Sequence, residues 1–280
     1  MALPQKKRTT LALWRMREMN EKIVVMTAYD ATQAATVEAA GVDAILVGDS
    51  VGMVMLGYDT TIPVTLHDMI HHARAVRRGA GQTMMIVDLP FATYHGSQDS
   101  TLDHAAALMR DAFADAVKLE GGRAQADHVR TLVRAGIPVC GHIGLTPQSV
   151  FQFGGFRVQG RGEDAARTLL DDVQALADAG AFAVVLECIP APLALQITQA
   201  VPIPTIGIGA GPDCSGQVLV YHDVLGLRAG RSPKFVKQYA DLRALSVAAI
   251  AAYGEEVRNG VFPSAQYSYD VEGQSGGDAP

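Results

Sequence analysis

Five ionisable side chains stand where apolar runs end. Asp49 follows Ile45-Leu46-Val47-Gly48, Asp88 follows Met84-Met85-Ile86-Val87, Lys118 and Glu120 bracket Leu119, and Glu187 follows Val184-Val185-Leu186. A carboxylate placed directly after a segment fit for burial carries a large desolvation cost unless it is paired. Lys118 and Glu120 are two apart, so an extended chain turns both to one face and sends Val117 and Leu119 to the other. If Asp49, Asp88 and Glu120 converge, three anions need a cation. Their all-oxygen donor set suits Mg²⁺, which keeps water positions open for a substrate, better than zinc, which prefers His and Cys. Lys118 cannot balance three carboxylates but can hold the acid group of a substrate, and Glu187 offers a general base facing a Lewis acid. The competing reading is a buried ion-pair network of Lys118 with Glu120 and an aspartate, which adds little to stability.

Other polar residues give weaker signals. His142, in Gly141-His142-Ile143-Gly144, could orient a carboxylate, bond a substrate oxygen or serve the structure alone. His67 and His71 are one helical turn apart but lack the Glu of a His-Glu-x-x-His motif, so with His72 they read as a polar helix face. The glycine-rich run 207–211 could cradle a phosphate or let backbone approach a ligand. Cys188, with no partner base in sight, reads as a small buried hydrophobe.

The elements that must position these groups alternate along the chain. Short apolar, β-branched runs fall at 23–28, 44–48, 84–89, 116–119, 139–143, 183–186, 205–208 and 218–221. Segments of helical periodicity lie between most of them, at 31–40, 66–78, 102–113, 126–135 and 165–179. Continuous apolar strands with helical crossovers imply a parallel sheet buried on both faces. Eight such strands fit an α/β (β/α)₈ TIM barrel better than two Rossmann halves, because no strand leads into a Gly-x-Gly-x-x-Gly turn. Residues 1–280 are therefore read as a single barrel domain, its barrel running from 20 to about 255. A helix over 9–20, with Leu11, Trp14 and Met19 on its apolar side, is expected to cap the barrel bottom or a neighbouring subunit. Residues 267–280, rich in Gly, Ser, Asp and Pro, are expected to form a disordered tail.

Composition narrows the function. Of 280 residues, 49% are hydrophobic and 19% charged, enough to bury a large core and too apolar for a disordered chain. A net charge of −6 repels a phosphate backbone, which points to small-molecule partners and away from nucleic acid. Neither a secretory leader nor a membrane span is apparent, so no membrane partner is expected. Cys140, Cys188 and Cys214 fit no zinc or disulfide spacing and read as reduced thiols of a cytoplasmic protein.

Taken together, several segments resemble the ketopantoate hydroxymethyltransferase family. They are Thr27-Ala28-Tyr29-Asp30, Val47-Gly48-Asp49-Ser50, Val87-Asp88-Leu89-Pro90-Phe91, the runs 117–122, 141–147 and 158–161, Leu186-Glu187-Cys188-Ile189-Pro190 and the run 207–211. The resemblance spans residues 9 to about 265 and implies a barrel of the phosphoenolpyruvate/isocitrate-lyase superfamily, assembled as a homodecamer of two pentamer rings. It implies a Mg²⁺ site at Asp49, Asp88 and Glu120, keto-acid contacts from Asp49, Ser50, Asp88 and Lys118, and Glu187 as proton acceptor. The implied reaction carries a one-carbon unit from 5,10-methylenetetrahydrofolate to C3 of 3-methyl-2-oxobutanoate, a step of pantothenate synthesis. Another Mg²⁺-dependent 2-oxo-acid lyase or mutase is the alternative. Cys214-Ser215, and the sequence after Pro263, depart from the family's pattern.

Overall fold

Eight short parallel strands close into a barrel in chain order, as the computed structural model of the chain describes for residues 8–230 and 232–269. The strands are β1 (Ile23–Thr27), β2 (Ala44–Val47), β3 (Met84–Asp88), β4 (Ala116–Lys118), β5 (Val139–Gly144), β6 (Ala183–Glu187), β7 (Thr205–Ile208) and β8 (Gly216–Leu219). β1 pairs with both β2 and β8, so the sheet has no edge. Helices surround it: α1 (Thr10–Glu18), α2 (Ala31–Ala39), α3 (Val51–Val54), α4 (Leu66–Gly79), α5 (Gln98–Asp111), α6 (Ala126–Arg134), α7 (Val150–Phe153), α8 (Glu163–Asp178), α9 (Ala191–Ala200), α10 (Tyr221–Val224) and α11 (Leu242–Arg258).

Side-chain alternation explains how the barrel is filled. One set of strand residues, including Val87, Val117, Leu119, Val184 and Leu186, packs outward against the helices. The other set forms the interior, with Ile23, Val25, Ala44, Leu46, Met84, Ile86, Ala116, Cys140, Ala183 and Val185 as apolar layers. Continuing those inward rows by two residues reaches Asp88 on β3, Lys118 on β4, His142 on β5 and Glu187 on β6. The top layer of an apolar plug is thus polar, at the end of the barrel where the strands feed their βα loops.

Local signals set the helix limits. Asp30 accepts the N–H of Gln33 to start α2, and Thr65 and Asp68 form a reciprocal capping box at α4. Ser97 accepts the N–H of Ser100, which begins α5 four residues before the apolar periodicity of 102–113. Helix α1 closes the bottom of its own barrel. Its buried residues are Leu13 and Met16, which join the interior cluster, while Leu11 and Met19 are exposed. The apolar side expected from Leu11, Trp14 and Met19 is therefore rotated: the sequence shows an apolar stripe but not which barrel residue meets it.

The seventh crossover carries no helix. Residues 209–215 descend from the top of β7 to the bottom of β8, where Ser215 and Thr205 hold each other through their main-chain N–H groups and hydroxyls. The Cys214-Ser215 departure is thus packed at the barrel bottom, at the end opposite the polar layer. Of the expected tail, Tyr267 ends a short turn of helix that 268–269 follow, and 270–280 lie outside the described residues. No helix of the described residues is long and apolar enough to cross a membrane.

Candidate active site

Asp88 and Lys118 are register partners on β3 and β4, and the Lys118 ammonium lies 2.9 Å from Asp88 Oδ1. The other oxygen, Oδ2, accepts the main-chain N–H of Asp49 at 3.0 Å, tying the end of β2 to β3. Asp49 follows Gly48, at which an added Cβ would come within 2.8 Å of Ser50 Oγ and 3.5 Å of Asp88 Oδ2. Glu120, just past β4, accepts the main-chain N–H of Gln148 through Oε2 at 3.0 Å. Its Oε1 lies 3.3 Å from His142 Nδ1, and His142 Nε2 lies 3.2 Å from Glu187 Oε2. Ser50 shares a hydrogen bond of 2.8 Å with the fully buried Tyr29 hydroxyl. Asp49, Ser50, Asp88, Lys118, Glu120 and Glu187 are therefore brought together, with His142 between Glu120 and Glu187.

Charge explains the protonation states. Asp49, Asp88, Glu120 and Lys118 are all buried. Burial, then the charges of Asp88 and Glu120, push the Asp49 carboxyl well above its ordinary value despite Lys118 and Gln148. Burial likewise raises Asp88, with Lys118 opposing it. For Glu120, burial acts upward but is outweighed by the hydrogen bond and charge of His142, with Lys118 and the Gln148 N–H, so it is lowered. His142 is raised to about 9: burial and Lys118 disfavour the imidazolium, yet hydrogen bonds to Glu120 and Glu187 prevail. Lys118 is raised despite burial by Asp88, Glu120 and Asp49, so it stays an ammonium and is a poor Schiff-base nucleophile.

An excess of buried negative charge made entirely of oxygen donors fits a hard divalent cation. Among the described residues no three His, Cys, Asp or Glu side chains form a ready-made metal cage.

Sequence reasoning missed Tyr94 and Gln148. The Gln148 amide donates to Asp49 Oδ2 at 2.8 Å and to the Leu89 carbonyl at 3.0 Å, and its oxygen accepts the Tyr94 hydroxyl at 2.6 Å. Gln148 follows directly on the 141–147 run, a strand-end position that was the available signal. Other readings are settled by packing. A Cβ at Gly211 would approach Ala191 Cβ to 2.4 Å and one at Gly209 would approach Phe235 to 2.9 Å, so the 207–211 run is a tight crossover. Of the histidine trio, His72 Nδ1 bonds the Tyr29 carbonyl at 2.7 Å and holds α4 to the end of β1. Cys188 is half-buried, and burial with the Glu187 charge raises its thiol to about 12, which removes it as a nucleophile.

Known proteins share both sequence and fold with this chain. It is 54% identical to the 3-methyl-2-oxobutanoate hydroxymethyltransferase of Moorella thermoacetica over 95% of its length and 100% of that protein. It is also 54% identical to the Carboxydothermus hydrogenoformans enzyme of the same name, over 94% of this chain and 95% of that one. Among solved structures, 2,3-dimethylmalate lyase, a PEP mutase/isocitrate lyase superfamily member, matches with a TM-score of 0.58 at 20% identity, covering 96% of this chain and 92% of that one. Phosphonopyruvate hydrolase matches with a TM-score of 0.60 at 16% identity, covering 94% and 92%. These structures share the barrel fold. A model of the family described as ketopantoate hydroxymethyltransferase matches residues 7–265, and the chain belongs to that family.

Proposed function

We propose that this chain carries a hydroxymethyl group from 5,10-methylenetetrahydrofolate to C3 of 3-methyl-2-oxobutanoate, giving 2-dehydropantoate and tetrahydrofolate. Family membership supports the reaction, and one geometric observation carries the mechanism: His142 links the Glu187 carboxylate to the Asp49, Asp88 and Glu120 cluster. Asp49, Asp88 and Glu120 would hold Mg²⁺, which when bound supplies a Lewis acid at the keto oxygen where enolate charge develops. Lys118 and Ser50 orient the keto acid, the ammonium facing its carboxylate and the hydroxyl donating a hydrogen bond. His142 holds Glu187 by Oε2, leaving Oε1 to accept the C3 proton. The resulting carbon nucleophile forms the new C–C bond to the folate-borne methylene, and water supplies the hydroxyl oxygen.

Replacing Glu187 by Gln keeps the size and removes the base. Loss of a positioned base typically costs about 10²- to 10⁴-fold, and C3 proton exchange in deuterated buffer, followed by NMR, is expected to fall accordingly while the keto acid still binds. Exchange at the wild-type rate would remove Glu187 from this role. We also place the chain in a homodecamer. A cytoplasmic setting is supported by three cysteines that remain free thiols.

A further inference from the structure

Gln148 holds two of the three proposed cation ligands at once, and the direction of each of its hydrogen bonds follows from its partners. The residue is buried, in the turn after β5. The Tyr94 hydroxyl accepts the main-chain N–H of Glu120 at 3.2 Å and gives its own proton to Gln148 Oε1 at 2.6 Å. That bond fixes the amide with its NH₂ on the far side, where one proton goes to Asp49 Oδ2 and the other to the Leu89 carbonyl. A flipped amide would set its oxygen against a carboxylate and a carbonyl, with nothing to donate. The main-chain N–H of the same residue donates to Glu120 Oε2. Asp49 Oδ2 is thereby occupied by protein and Asp49 Oδ1 is left to offer, while both Glu120 oxygens already face protein, Oε2 the Gln148 N–H and Oε1 His142 Nδ1.

We propose that Gln148, locked by Tyr94, makes Asp49 a single-oxygen donor and so sets the site's preference for a Mg²⁺-sized ion over Ca²⁺. The inference rests on the metal reading above. Ca²⁺ takes six to eight oxygens, often from carboxylates binding through both, whereas Mg²⁺ holds to six in near-octahedral array and keeps several waters. A cluster in which Asp49 is pinned by one oxygen and Glu120 is engaged through both cannot supply the larger shell. The amide is suited to this because it donates without adding charge; a hydrocarbon at 148 would free Asp49 Oδ2 to turn toward the ion.

The test uses the full-length protein stripped of metal, with Mn²⁺ as probe read by EPR of the free ion, and Mg²⁺ and Ca²⁺ as competitors. Wild-type protein is expected to bind Mn²⁺ and release it to Mg²⁺ at lower concentration than to Ca²⁺. Supporting-shell partners typically account for about 10- to 100-fold in metal affinity; in Gln148→Leu the Mg²⁺-over-Ca²⁺ preference is expected to shrink by a factor in that range. Tyr94→Phe, which unlocks the amide but keeps it, is expected to move the ratio the same way by less, and it serves if circular dichroism finds Gln148→Leu unfolded. An unchanged ratio in folded variants overturns the inference, even if affinity for all three ions drops together. Wild-type protein that does not bind Mn²⁺ overturns the metal reading and this inference with it.

Discussion

Lys118 sits among more negative charge than it can neutralise. Its ammonium is paired with Asp88, and Asp49 and Glu120 also raise its affinity for the proton. Removing one partner of a buried pair leaves an uncompensated charge and typically costs about 3–5 kcal/mol. Lys118→Met is therefore expected to lower the urea-unfolding stability of metal-free protein by that order, with Mg²⁺ restoring part of the loss. Recovery with Mg²⁺ but not with Na⁺ at equal ionic strength would mark a cation site; no recovery would leave only the ion-pair network. The residues legible in the sequence were those whose position follows from strand alternation: Lys118 and Glu120 two apart, Asp88 and Glu187 as strand-final residues. Gln148 was not legible in this way, because its role depends on an amide meeting a carboxylate 99 positions earlier in the chain. His142 was placed at the right strand end, but only the side chains just past β4 and at the end of β6 reveal that it joins two carboxylates.

Strand cores were more readable than their connections. Valine- and isoleucine-rich runs marked all eight staves to within about two residues, since burial on both faces demands apolar side chains throughout. The helixless crossover after β7 was not foreseen, because a glycine-rich run reads equally as a ligand loop or as a chain packed close to its neighbours. At the other end of the barrel, the orientation of α1 depended on a contact rather than a pattern. Leu13 is 1% exposed and plugs the interior against Val25 and Leu46, whereas Leu11 is 56% exposed. Truncating a buried leucine of this kind costs about 2–5 kcal/mol, depending on how far the cavity collapses. Leu13→Ala is expected to lower the unfolding midpoint by that order while kcat stays near wild type at a temperature where the variant is folded. A large fall in kcat in folded protein would mean that the barrel bottom communicates with the polar layer.

Among the described residues, α11 is a long helix that the barrel does not bury. None of its residues is buried, although Leu245, Val247, Ile250, Tyr253 and Val257 are large and apolar. From Ala244 to Gly254 it carries no charged residue. A helix apolar on all sides is stable in water only when neighbouring surface covers it, and helix propensity alone leaves a segment of 17 residues marginal. Among the described residues nothing buries that face, and a second copy of the chain is the occupant consistent with the homodecamer proposed above. Ile250→Glu places a charge in the middle of that face without touching the barrel. It is expected to shift the wild-type assembly to a smaller species in sedimentation velocity, with the far-UV circular dichroism of the barrel retained. If the variant sediments as the wild type does, α11 is not the contact, and the decamer must be built from another face.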